Sequence, residues 1–324
     1  GNSETWKLKK NDHYWDKEHV KLNEIDVQVV KEIGTGANLF DNGDLDYTVL
    51  ADTYALQYKE SKQAHFVPKA MVGYLSPNHR REITGNEHVR KAFLQAIDKE
   101  TFAKEILGDG STALNGFVPA NFAKNPDTGE DFRKENGDLL PYNIKEAQAN
   151  WTKAKEELGK DKIELELISA DSAIAKKTIE FVQGQLQQNL PGLTIKLKSL
   201  PLQNRLDLQT AGNYDLAFGT WTPDYADPIN FLEFYDSKSG LNTSGYNDSA
   251  YDAGLQKVRK DYANEPEKRW NELLSLEKTL IEKDAGVLPL FQGAIGYLKS
   301  DRLQGLQVFS FGRTVSYRLA YVEE

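Results

Sequence analysis

Two alternating runs flanking one helical stretch constrain this chain more than any other feature. Ile163, Leu165 and Leu167 alternate with Glu164 and Glu166, and Ile195, Leu197 and Ser199 alternate with Thr194, Lys196 and Lys198. Period-two alternation of this kind is the pattern of a half-buried strand. Between the runs, Ile179, Val182, Leu186 and Leu190 recur at helical spacing, with Asp171 as the expected cap. Strand, helix and strand in that order make a parallel pair joined by a right-handed crossover. Asp215-Leu216-Ala217-Phe218 follows as a third strand, and its C-terminal end runs into Trp221-Thr222-Pro223-Asp224-Tyr225-Ala226-Asp227-Pro228. In open α/β sheets, ligands bind outside the carboxyl ends of the strands, so a site is expected at this segment.

The rest of the chain completes a mixed α/β pattern. Residues 5–31 read as extended, and Asp46–Leu50 reads as a strand. A helix starts near Asn86, with Val89, Phe93 and Ile97 on one face, and Asp98 caps a second helix that ends at Gly108. The stretch from Asn115 to Asn143 is rich in Gly, Pro, Asn and Asp and reads as a long loop, a feature often tied to function. Asn143 and Glu146 form a capping-box pattern ahead of a helix with Ala147, Trp151, Ala154 and Leu158 on one face and Gly159 at its end. Asn264 and Glu267, with Pro266, form a second such pattern at the later of two helices expected near 249–263 and 265–283. Val287–Phe291 and Ile295–Leu298 read as two strands.

Composition removes several function classes. The 324 residues carry a formal charge of −9, spread along the chain, which argues against nucleic acid as a partner. There is no cysteine, so thiolate zinc sites, iron–sulfur clusters, disulfides and cysteine nucleophiles are excluded. No apolar run approaches the roughly 20 residues needed to cross a bilayer. The chain opens Gly1-Asn2-Ser3 without Met or a visible secretory signal, as expected of the interior of a longer protein.

The clusters that suggest chemistry mostly have plainer readings. His13 and His19 flank Tyr14-Trp15-Asp16, but six residues apart is not zinc spacing; the histidines read as solvated, Tyr14 and Trp15 as core anchors. Asp127, Asp131 and Asp138 with Gly129 and Gly137 do not fit the EF-hand pattern and read as a polar loop. No metal and no cofactor is therefore expected. No Gly-x-Ser-x-Gly elbow, Walker loop or dinucleotide fingerprint occurs. Asp224 and Asp227 form a formal pair of carboxylates, the one arrangement a glycosidase could use. The segment Trp221–Pro228 itself has two readings from its chemistry. It is a turn with core aromatics, or Asp224 presents a carboxylate to a cationic group while Trp221 and Tyr225 wall the site from water.

The stretch Asp215–Pro228, followed by Phe231-Leu232, resembles the signature of the oligopeptide- and dipeptide-binding proteins of ABC importers. Val89-Arg90-Lys91-Ala92-Phe93 with Ala96-Ile97-Asp98-Lys99 resembles the family's other recurrent stretch, and Asn11–Trp15 and Gly43–Asp46 also fit. The loop Thr128–Arg133 and the lack of cysteine look most like Gram-positive members. The resemblance implies an α/β fold of the periplasmic-binding-protein type (type II), with mixed sheet and flanking helices. It implies a binding protein, not an enzyme, that captures oligopeptides and delivers them to ABC permease subunits. The full-length form would sit on the outer face of the cell membrane, held there only by a lipid anchor. Asp224 matches the family aspartate that binds the peptide α-amino group, and Trp221, Thr222, Pro223, Tyr225 and Phe218 would line the same wall.

Where some enteric members carry arginines that contact the peptide's C-terminal region, this chain has Gln209 and Phe218, which favours longer or variable peptides. Cargo of another kind (a sugar, nickel or haem) is the alternative within the family, and Asp224 favours an amine. By the same resemblance, residues 74–294 are a complete second lobe. Residues 1–73 and 295–324 are then parts of an incomplete first lobe, the remainder of which precedes this chain.

Overall fold

The computed structural model describes residues 5–323, so Gly1, Asn2 and Ser3 lie outside the described residues. In chain order the main elements are β1 (Thr5–Lys9), β2 (Glu24–Gln28), α1 (Ile33–Asp41), β3 (Tyr47–Leu50), α2 (Asp52–Gln57) and β4 (Ala64–Pro77). There follow α3 (Glu87–Ala96), α4 (Lys99–Thr101, extended by a π-helical stretch to Leu107), β5 (Thr112–Ala113), α5 (Phe132–Asn136), α6 (Ile144–Leu158) and β6 (Ile163–Ala170). The chain continues with α7 (Ala173–Asn189), β7 (Leu193–Leu200), α8 (Leu202–Thr210), β8 (Leu216–Trp221) and α9 (Ile229–Leu232). Last come α10 (Ser249–Gln256), α11 (Pro266–Lys278) and β9 (Leu288–Lys299). These form two compact units: residues 1–69, 107–111 and 294–324, and residues 70–106 and 112–293.

In the larger unit the strands lie in the order β9-β4-β8-β6-β7, with β5 on β9. β6 runs parallel to both β7 and β8, as the alternating runs and intervening helix predict, and β8 runs antiparallel to β4. Its edge strand β7 is shielded in two ways. Lys196 and Lys198 pair with Glu164 and Glu166 at 2.5 and 3.5 Å on the polar face. From α7, Gln187 Oε1 accepts the Ile195 N–H and Gln183 Nε2 donates to the Ile195 carbonyl, both at 2.8 Å. An open edge is a template for pairing with another chain, and these two glutamines occupy part of it. Beside the sheet, α6 buries Ala147, Trp151 and Ala154; the Trp151 ring packs on Phe93 of α3, and its N–H reaches the Pro191 carbonyl at 2.9 Å. Burying that indole is worth roughly 3 kcal/mol.

In the smaller unit, β1 and β2 form a two-stranded antiparallel ribbon, and β3 pairs with the C-terminal end of β9. Ala37 and Phe40 of α1, Leu50, Ala55 and Leu298 make its core. A cavity of about 500 Å³ opens between α1, β2 and β3, lined by Ile25, Val27, Ile33, Val49 and Leu303 among others.

Several sequence expectations need correction. Trp15 is no core anchor: it is 84% exposed. The α7 cap is Ser172, not Asp171, because the Ser172 hydroxyl accepts the Ala175 N–H. Asn264 does not cap α11; Glu265 occupies that place without a side-chain cap bond. At α6 only half of the expected capping box forms: Asn143 accepts the Glu146 N–H, while its own N–H goes to the Gln95 carbonyl at 2.9 Å. The two strands expected at 287–298 are one strand, β9, and the long loop contains α5, capped by Asp131. The long strand β4 has no counterpart in the sequence reading.

The long loop is held by a buried carboxylate. Glu277 of α11 has no solvent exposure; its Oε1 accepts the N–H groups of Phe117 and Val118 and pairs with Arg133 Nη1, at 2.7–2.8 Å, while Oε2 accepts Asn136 Nδ2 at 2.6 Å. At the loop's start, buried Lys99 donates to Asn115 Oδ1 at 2.7 Å and to the Leu114 carbonyl at 3.3 Å. Burial lowers the Lys99 ammonium from its usual 10.5 to about 7, with Asp138 opposing and Arg133 adding to the shift.

Two outcomes follow. Glu277→Gln leaves the Arg133 guanidinium buried without a counter-charge, at a cost of about 3 kcal/mol. Urea unfolding is expected to show a lower midpoint, and hydrogen exchange should be faster across residues 115–143. For Lys99, the unfolded chain keeps its proton up to about 10.5 while the folded chain releases it near 7. Between those values the unfolded state binds more protons, so stability rises with pH. The urea midpoint is therefore expected to increase from pH 7 to pH 9, and Lys99→Met should remove that Lys99-dependent increase.

Candidate functional site

The strand β8 carries the chain to the candidate site. It runs three residues beyond Phe218, so Trp221 is still in the sheet, opposite Val72 of β4. After Trp221 the chain turns through Thr222–Pro228 into the short helix α9. Thr222, Asp224 and Tyr225 are exposed, Trp221 is half-buried and Pro223 is buried. These five residues lie together. Phe218 does not join them at the surface: it is 3% exposed, its ring stacks near Phe291 at 6.4 Å, and its carbonyl accepts Arg205 Nη1 at 3.0 Å. Gln209, on α8, is also buried.

Almost every polar group of the turn has a partner. The buried Asn230 side chain takes two donors on one oxygen: Trp221 Nε1 at 3.3 Å and the Asp224 N–H at 3.2 Å. Asp227 accepts the Ile229 N–H at 3.0 Å and pairs with Arg269 of α11 at 2.8 Å. The Tyr225 hydroxyl donates to Glu233, which pairs with Arg259 at 3.0 Å; Arg259 in turn holds Asp236 at 2.6 Å. Burial, then the bond to Glu233, pushes the Tyr225 hydroxyl up to about 12, so it stays a neutral donor. The Trp221 ring meets Phe234 edge-on at 5.1 Å, and Phe234 lies 6.2 Å from Tyr74.

Of the two carboxylates of the turn, Asp224 is the exception. Its backbone N–H is bonded, but among the described residues its exposed carboxylate has neither a hydrogen-bond partner nor an ion pair. The turn thus presents one uncommitted negative charge, with Trp221 and Tyr225 as its aromatic neighbours in sequence. Such an arrangement suits an ammonium group, which gains a charge-assisted hydrogen bond there.

The other sequence candidates have local duties. His19 pairs with Asp16, which also holds Arg318, and the His13 N–H bonds to Asn11. Asp131 accepts the Arg133 and Lys134 N–H groups at the start of α5, and Asp138 accepts Asn115 Nδ2 at 3.2 Å. Among the described residues no three His, Asp or Glu side chains converge as a metal-holding group. Nor is any described helix long and apolar enough to cross a membrane. Sequence reasoning missed Asn230, Arg269 and Glu233, which hold the turn. The only local signal was the Asp-Pro dipeptide at 227–228, which marks a turn but not its distant partners.

Residues 2–243 match the family model of the bacterial extracellular solute-binding proteins, family 5, middle region. The dipeptide-binding protein of Lactococcus lactis subsp. cremoris is 30% identical, over 100% of this chain and 60% of that protein. The structure of Listeria monocytogenes OppA bound to peptide matches with a TM-score of 0.81 and 38% identity, over 99% of this chain and 62% of that one. That of the pheromone receptor PrgZ, described with its mode of peptide binding, matches with a TM-score of 0.82 and 37% identity, over 100% and 62%. The chain thus spans about three-fifths of the length of these relatives. Its α/β fold is of the periplasmic-binding-protein type they share. The chain belongs to the bacterial extracellular solute-binding proteins of family 5.

Proposed function

We propose that this chain is the part of an extracytoplasmic binding protein that receives the amino terminus of an oligopeptide, which the whole protein delivers to the permease subunits of an ABC importer. The observation that carries this reading is the uncommitted carboxylate of Asp224, in a turn where Trp221, Tyr225 and Asp227 are tied down. A peptide α-ammonium is its chemical complement. Trp221 and Tyr225 neighbour Asp224 and would shield the ion pair from water once a peptide is seated, while Thr222 and Pro223 continue the wall. Peptides bound as an added strand draw affinity from their main chain, so loose selection of side chains is compatible with capture. The names of the relatives, a dipeptide-binding protein, a peptide-bound OppA and a peptide-binding pheromone receptor, support the same class of cargo. A neutral sugar could offer Asp224 hydroxyl donors but no counter-charge.

We read the protein as a carrier and not a catalyst. A glycosidase needs two available carboxylates, whereas Asp227 is held by Arg269 and the Ile229 N–H. Phe218 acts only through the strand that carries the turn, since its ring is buried. With Gln209 and Phe218 in place of arginines, and both buried, neither side chain offers a charge to the far end of the peptide, which suits peptides of variable length. In this reading the larger unit is the second lobe, with boundaries near residues 73 and 294. The smaller unit belongs to a first lobe that the rest of the full-length protein completes. The full-length protein would be lipid-anchored on the outer face of the cell membrane.

The test is titration calorimetry of the full-length protein with a peptide pair differing only in N-acetylation. Free peptide is expected to bind at least about tenfold more tightly, and Asp224→Asn to abolish most of the difference. Equal binding of the two peptides by the unaltered protein would remove the role assigned to Asp224.

A further inference from the structure

We infer that Asn230 is the positioning residue of the site: by gathering the Trp221 indole N–H and the Asp224 backbone N–H on one buried oxygen, it aims the Asp224 carboxylate outward. This rests on the reading of Asp224 as the amine-binding group and adds the residue through which that group is oriented. Asn230 is 4% exposed and sits in α9, beyond the turn. Its Oδ1 lies 3.3 Å from Trp221 Nε1 and 3.2 Å from the Asp224 nitrogen. The two donors belong to the first and fourth residues of Trp221-Thr222-Pro223-Asp224, so a single acceptor clasps both ends of that turn.

The clasp matters because few other bonds restrain this part of the chain. Pro223 has no N–H to give, and Thr222 is exposed. The anchors of Asp227 on Arg269 and of Tyr225 on Glu233 act on residues after Asp224. Asn230 alone, among the described residues, bonds Trp221 and Asp224 together. If its oxygen is removed, the Asp224 N–H and the indole N–H must each find water or another acceptor. Both needs turn the backbone around Asp224 and with it the direction of the carboxylate. The carboxylate would remain present and charged, but no longer be held in one direction. The expected signature is a selective loss of amine recognition, with main-chain binding to the rest of the peptide preserved.

The experiment measures, in the full-length protein, the ratio of dissociation constants for an N-acetylated and a free peptide of the same sequence, with thermal unfolding as a check on folding. Asn230→Leu preserves side-chain bulk and removes the acceptor. It should lower the ratio by about tenfold, the scale of one or two hydrogen bonds, while affinity for the acetylated peptide changes little. Asn230→Asp retains an acceptor oxygen and should keep the ratio. Because that variant also adds a charge, Asp224→Asn with Asn230→Asp completes the set. The pair should show little preference for the free peptide, since position 230 orients the site and does not bind the amine.

Should the leucine variant fail to fold, Asn230→Ser, whose hydroxyl stands on a shorter stem, is expected to show the same fall. An unchanged ratio in a folded Asn230→Leu or Asn230→Ser protein, with wild-type preference intact, overturns the positioning role and leaves the reading of Asp224 standing. A wild-type ratio of one overturns both. Strong preference retained by the double variant also overturns the positioning role, because the charge at 230 would then be sufficient by itself.

Discussion

The candidate site depends on the register of β8. This strand lies between β4, antiparallel to it, and β6, parallel to it, and the pairing with β4 runs without a break from Leu216 to Trp221. A slip of one residue would exchange the faces of every side chain along the strand. Trp221 would then no longer meet Phe234, and Phe218 would leave its place near Phe291. Packing at the neighbouring strand reinforces the register. Gly73 stands opposite Thr220, and a Cβ there would lie 2.2 Å from the Phe291 ring, so only glycine lets that ring approach. On the other side the β6–β8 ladder is short, and the Asp215 carboxylate extends it by accepting the Glu166 N–H at 2.9 Å.

From the end of β8 onward, order comes from side chains instead of a ladder. A surface turn without partners would satisfy its polar groups with water and sample many shapes. Here Asn230, Arg269 and the Glu233–Arg259 pair take up those groups one after another. The consequence is selective: the turn is restrained and the Asp224 carboxylate is left over. A binding group placed this way loses less freedom when cargo arrives, which is the general benefit of preorganisation. The same division holds in the long loop, where Glu277 and Lys99 anchor backbone that has no sheet or long helix of its own.

Much of the larger unit was legible in the sequence because its signals are local. Alternation at 163–167 and 194–199 and the helical stripe between them specify a parallel pair without knowledge of any distant residue. The motif Trp221–Pro228 was legible as a candidate site for the same reason, since it follows a strand end. What escaped depends on contacts far apart in sequence. β4 is interrupted by Pro68, Gly73 and Pro77, which break the periodic signal although the strand is continuous. Trp15 is aromatic and so reads as core, but its exposure is set by the fold around it and not by its neighbours in sequence. Caps shifted by one residue, as at Ser172, because Ser and Asp are nearly equal in preference and only backbone geometry decides between them. Asn230 and Glu277 look unremarkable in their own segments, since the groups they bind come from elsewhere or arrive by a turn.

The most direct measurement of the central claim is a crystal structure of the full-length protein with a defined peptide bound. The peptide's α-ammonium is expected within about 3 Å of an Asp224 carboxylate oxygen, flanked by Trp221 and Tyr225. A peptide bound with its amino terminus elsewhere, and Asp224 left to solvent, would contradict it.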